Sequence, residues 1–141
     1  MTGAIQIASS VVWIWLGMVL AISFLEAPLK FRAPGLELRV GLAIGRIVFR
    51  ALNTAEIIWV IAIAVCLIID RPAAGVTSLA VVAGAVLGIQ LVVVRPRLNN
   101  RTNQVLAGAD VPRSSSHHWY ILLEVTKVVA LVALGVVMIS T

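Results

Sequence analysis

At 141 residues, with 61% hydrophobic and 12% charged side chains and a mean hydropathy of +1.07, the chain is too apolar for a soluble domain, in which about a quarter of residues are charged. The length suits one domain of four membrane spans with no separate soluble module, and the single cysteine, Cys66, excludes a disulfide framework or a thiolate metal site. The net charge of +5 lies beside apolar runs, so orientation in the bilayer and anionic headgroups account for it, and nucleic acid is not expected as a partner.

The first 25 residues carry no charge, and residues 5–25 are about long enough to cross the hydrocarbon core. No basic segment precedes them, which favours a retained span over a signal peptide. In the stretch 26–35, Pro28 and Pro34 lack a backbone donor and Gly35 frees a turn, so the helix is expected to break here. Residues 36–50 then set Glu37, Arg39, Arg46 and Arg50 among apolar residues at helical intervals. This reads as an amphipathic entry helix leading into a second span, 51–69, which Asp70-Arg71-Pro72 ends. The third span, 73–94, has Gln90 as its one strongly polar side chain, and Arg95-Pro96-Arg97 is expected to stop it. A polar loop, 98–116, follows, and 119–140 is the fourth span. The fold class predicted is an all-α integral membrane protein, a four-transmembrane-helix bundle.

Bases near the span ends set the orientation. The first connection and entry helix hold Lys30, Arg32, Arg39, Arg46 and Arg50; the third connection holds Arg95, Arg97, Arg101 and Arg113; the second has Arg71 alone. The positive-inside rule then puts both termini outside, with a bacterial cytoplasmic membrane as the expected location. Pro28 precedes Glu56, and Pro96 precedes Glu124, by the same 28 positions. The halves are either parallel two-helix repeats about an axis along the membrane normal, or a chance match in an apolar chain.

Ionisable residues inside spans are costly and point to an interior or functional face. His117, Tyr120, Glu124 and Lys127 share one helical face, and Lys127 stands at the pairing distance of three residues from Glu124. Arg46, Asn53 and Glu56 form a comparable stripe on the second span. With both stripes inward, Glu56, Asn53, Gln90, Glu124 and Lys127 make a buried polar site. Glu26, Arg46, Arg50, Arg95, His117 and His118 then line its cytoplasmic mouth. The alternative is a charge-paired core or residues reaching to the interface, although buried ion pairs are a poor stability device. Adjacent histidines point about 100° apart on a helix, so only one of them could join Glu124 at a metal. The Glu-x-x-His pairs of ferritin-like bundles are missing. No catalytic set, metal site or cofactor is assigned. Trp119 and Tyr120 suit the aromatic belt at the membrane boundary. Gly17, Gly41, Gly45, Gly84 and Gly88 sit at small-residue spacings that let helices approach closely, within the bundle or between copies.

Three elements carry a resemblance: Ala27-Pro-Leu-Lys-Phe-Arg32, Gly45-Arg-Ile-Val-Phe-Arg-Ala-Leu-Asn-Thr-Ala-Glu56, and Pro96-Arg97-Leu98 followed by a loop and a His-bearing start to the fourth span. In these the chain resembles a family of small four-span membrane proteins of unknown function related to the eukaryotic transmembrane protein 205. The resemblance implies a four-span fold and marks Arg46, Asn53, Glu56 and His117 or His118 as family-like positions. Membrane protoporphyrinogen oxidases are similar in length, but that family expects a histidine in the first span, where this chain has none. Copper-resistance membrane domains depend on His and Met, and here the methionines are Met1, Met18 and Met138.

Nothing in these residues demands an enzyme. The first functional expectation is an accessory or scaffold subunit that binds another membrane protein, a second copy or a lipid. The second is a small proton- or cation-coupled carrier using Glu56, Glu124 and Lys127. A haem- or metal-dependent membrane enzyme comes third.

Overall fold

A computed structural model describes residues 2–110 and 115–140, the side chains of 115 and 116 excepted. Among these residues there is no strand, and four helices are long and apolar enough to cross a membrane: Gly3–Lys30, Leu38–Ile69, Ala74–Leu106 and His117–Ser140. The chain is an integral membrane four-helix bundle. Arg113, counted above among the basic residues of the third connection, lies outside the described residues.

The first helix starts where the Thr2 side chain accepts from the Ile5 N–H, a cap for one of the free donors of the first turn. It ends within the expected stretch 26–35, at Lys30, and Gly35 turns the chain at φ 78°. Pro28 does not break it; the helix widens into a π-helical segment, Leu20–Glu26, and then closes with an α-turn, Ala27–Lys30. The third helix repeats the device. It is α-helical over Ala74–Ile89, π-helical over Gln90–Val94 and α-helical again over Arg95–Leu106, with Pro96 in the first turn of that last piece. A proline in a continuous helix removes one donor and crowds the carbonyl four residues back. The wider ring of the preceding π-segment relieves that clash. Hence Arg95-Pro96-Arg97 does not stop the third helix, and 98–106 is helix rather than loop.

That polar helix ends at Gly108, which adopts φ 96°. Gly108 N–H donates to Val105 O and Ala109 N–H to Gln104 O, each at 3.0 Å. These paired bonds close the last turn around a left-handed glycine. The entry helix and the second span form one helix, Leu38–Ile69, about 48 Å long by its 32 residues. It therefore projects beyond a hydrocarbon core about 30 Å thick. Its projecting part runs beside Arg95–Leu106. Arg46 Nη2 donates to Asn103 Oδ1 at 2.6 Å and to Asn99 O at 3.4 Å, and Arg39 Nη2 donates to Leu106 O at 3.1 Å.

The first helix packs on the second and fourth, and the third packs chiefly on the fourth. Their shared core, toward the end that holds Thr2 and Asp70, consists of Ala8, Val12, Trp15, Val76, Ala83, Leu131, Leu134 and Met138. Ile57, Ile61, Ile68, Val92 and Ile139 face outward, the apolar belt expected toward lipid.

Candidate functional site

Three helices bring their polar residues to one buried point. Lys127 and Glu56 are fully buried, and Glu124 and Gln90 are each 1% exposed. The Lys127 ammonium donates to Glu56 Oε2, lies 2.6 Å from Glu124 Oε1 and donates to Gln90 Oε1 at 2.9 Å. Two of its N–H groups are thus bonded, to Glu56 and Gln90, and Glu124 is an ion-pair partner without a hydrogen bond.

The trio's depth follows from helix geometry. Glu56 precedes Ile69 by 13 residues and Lys127 precedes Ser140 by 13, each about 20 Å of helix. In a core about 30 Å thick, the trio sits inside the hydrocarbon and nearer the end formed by the first and third connections.

The first helix supplies two partners that the sequence did not announce. Trp15 Nε1 donates to Glu56 Oε2 at 2.8 Å, and Ser23 Oγ donates to Glu124 Oε2 at 3.0 Å. Trp15 also belongs to the apolar core, so it joins core and site. Ser23 lies in the first π-segment and Gln90 opens the second, so each π-segment presents a polar side chain to the trio. Glu56 Oε1, Glu124 Oε1 and Gln90 Nε2 remain buried without a hydrogen-bond partner.

On the connection side of the trio, a cleft of about 350 Å³ opens between the four helices. Glu124 lies at its floor, and Lys30, Arg46, Arg95, Arg101 and His117 are in its walls. The Arg95 guanidinium rests against the rings of Tyr120 (4.6 Å) and Phe49 (4.8 Å), which meet edge to face at 5.8 Å. Gly45 makes room for Lys30, because a Cβ there would lie 3.2 Å from Lys30 Nζ. A Cβ on Gly41, likewise, would strike the Phe31 ring.

Of the residues singled out from sequence, Glu56, Gln90, Glu124 and Lys127 are brought together. Asn53 is buried one turn earlier, but among the described residues it makes no hydrogen bond to the trio. Arg46, Arg95 and His117 reach the cleft. Glu26 and Arg50 do not line it; Glu26 pairs with Lys30 at 3.7 Å, and Arg50 is exposed on the outer side of its helix. His118 is exposed, in edge contact with His117. Among the cleft residues that sequence reasoning did not select are Lys30, Arg101 and Phe49; their signal was the density of bases and aromatics flanking the two prolines.

The glycines divide similarly. Gly41 and Gly45 are close contacts within the bundle, whereas a Cβ on Gly17 or Gly88 would meet nothing within 4 Å and one on Gly84 only Val60 at 3.9 Å. The tight helix contact in the apolar core is Gly135, on which the Trp13 ring lies, 2.6 Å from where a Cβ would stand. Among the described residues, no three of His, Cys, Asp and Glu converge as metal ligands. No family model, curated protein or solved structure matches this chain.

Proposed function

We propose that this protein is a small proton- or cation-coupled carrier of the bacterial cytoplasmic membrane, oriented with both termini outside and the cleft facing the cytoplasm. The observation that carries the reading is the sharing of one ammonium by two buried carboxylates. Lys127 is ion-paired with both and donates to Glu56 and Gln90, and Glu56 Oε1 and Glu124 Oε1 are each left without a hydrogen-bond partner. Fully ionised, the trio carries one negative charge in excess, which is costly in a low-dielectric interior. A bound proton or monovalent cation removes that excess, and the orphaned Glu56 oxygen is a ready place for it. Glu124, between trio and cleft, provides the route by which cleft occupancy and trio charge affect one another. Of the positions marked by the resemblance, Arg46 and His117 line the cleft and Glu56 belongs to the trio, while Asn53 makes no hydrogen bond to it among the described residues.

The test uses proteoliposomes with an entrapped pH-sensitive dye, given an outward pH step in the presence of a potassium ionophore. Wild-type vesicles should change internal pH faster than empty ones. Glu56→Gln and Glu124→Gln should return the rate to that of empty vesicles while inserting normally by circular dichroism and yield. Equal rates for wild-type and empty vesicles would sink the carrier reading.

A second reading, an accessory subunit or homo-oligomer, is favoured by the open small-residue face of the third helix. Gly84 and Gly88 stand four residues apart, with open space above Gly88 and only Val60 near Gly84. On that reading Gly84→Leu or Gly88→Leu dissociates a complex seen by native mass spectrometry of gently extracted membranes. A bare monomer mass from wild type counts against it.

A further inference from the structure

We infer that the cleft is a binding site for a phosphate group. Its walls bring Arg46, Arg95, Arg101 and Lys30, the last paired with Glu26, against one carboxylate, Glu124, which is ion-paired with Lys127 and accepts from Ser23. The charge in excess inside the cleft is therefore positive. Two of the guanidiniums are held in place by contacts that leave N–H groups over. Arg95 lies against the Tyr120 and Phe49 rings, and its Nε and Nη2 are buried without a partner. Arg46 is anchored through Nη2 to Asn103 and Asn99, and its Nε is likewise buried without a partner.

A guanidinium fixed by its face or by one arm, with its remaining edge free, is the geometry that takes oxyanions by paired, charge-assisted bonds. Leaving such donors unpaired in a buried site costs stability, so an occupant is the economical explanation. The Lys30 side chain, 9% exposed, adds a compact cation to the same cleft, and its approach depends on Gly45.

The volume, about 350 Å³, is at the lower end of small-molecule sites, about 300–1,000 Å³. That suffices for a phosphate and a small substituent. Phe24, Phe31, Leu42 and Ile121 give the cleft apolar wall as well. Its position, where two helices project past the hydrocarbon, matches the headgroup layer. The phosphate can thus arrive on an anionic phospholipid or on a soluble phosphate compound. This names the cargo of the carrier proposed above and in that sense rests on it. Binding and coupled movement are read separately, so either can fail alone.

The experiment is a thermal-shift titration of the full chain in phosphatidylcholine nanodiscs, with inorganic phosphate as one probe and nanodiscs containing phosphatidylglycerol as the other. Sodium chloride at matched ionic strength is the control. Phosphate or phosphatidylglycerol should raise the melting temperature where chloride does not. Arg95→Gln should weaken that binding by roughly tenfold or more, the loss of a charge-assisted bond, and Arg50→Gln, exposed and outside the cleft, should leave it intact. A response to phosphatidylglycerol alone assigns a lipid headgroup; a response to free phosphate assigns a soluble compound. If neither probe exceeds chloride on the wild-type protein, the inference is overturned, whatever the variants do. Binding without the proton flux described above would retain the phosphate site and reject the carrier.

Discussion

Two turns of the fourth helix separate Lys127 from Leu134, and the packing changes character between them. Around Leu134 the helices meet through Ala8, Val12, Val76, Ala83, Leu131 and Met138, all fully buried and apolar, with Trp13 laid over Gly135. Around Lys127 the same helices meet through two carboxylates, an ammonium and an amide, and then part to leave a cleft. Lipid tails are as apolar as leucine, so the first region gains from close fit and dispersion rather than from escape from water. The second is held by charges that have nowhere else to go. One region can tolerate a change of shape if volume is kept; the other can tolerate loss of all its charges more readily than loss of one.

The largest effect should come from unbalancing the charged region. Lys127→Met leaves two carboxylates facing each other and should cost about 3–5 kcal/mol, read as a fall in the unfolding midpoint in detergent micelles. Adding Glu56→Met and Glu124→Met should recover most of that stability while proton flux stays at the level of empty vesicles. If the triple variant is no more stable than the single one, the trio is not the charge-balanced unit described here.

In the apolar region, Leu134→Ala should cost about 2–3 kcal/mol, toward the low end for buried leucines, because lipid offers no hydrophobic drive. Flux per folded molecule should survive, and its loss would mean that the two regions are not separable. Trp15→Phe tests their one shared residue. It keeps the ring in the core and deletes the Nε1–H bond to Glu56, so about 1–2 kcal/mol should go, together with a changed pH profile of flux.

The smallest effect separates two glycines. Gly135→Ala forces the Trp13 ring to move and should cost about 1 kcal/mol. Gly88→Ala, with open space above it, should shift the midpoint of the monomer by less than about 0.5 kcal/mol.

Much of this site was legible beforehand because polar residues in apolar runs are conspicuous. Glu56, Gln90, Glu124 and Lys127 each interrupt a hydrophobic stretch, and helical spacing aligned Glu124 with Lys127. Trp15 and Ser23 gave no such signal, since a tryptophan and a serine in a span are ordinary. Their role depends on which way the first helix turns, and its π-segment alters that. The third helix was misjudged for a local reason: Pro96, Asn99 and Asn100 all read as breakers. The proline instead takes the first turn of a new α-segment, and Gly108 marks the true end. Packing glycines were the least legible, because spacing cannot say which face is covered. Gly135 belongs to no small-residue motif, yet a tryptophan lies on it.

Lys127 also bears on how the bundle is assembled. A lysine near the middle of a span opposes insertion by about 2.5–3.5 kcal/mol, and its own helix offers Glu124 as only partial relief. Glu56 and Gln90 lie on the second and third helices, which leave the ribosome earlier. The last span therefore enters a membrane where the groups that will accept its charge are already waiting. Synthesised without its predecessors, it should partition poorly, and the four spans should mature as one unit rather than as two independent hairpins.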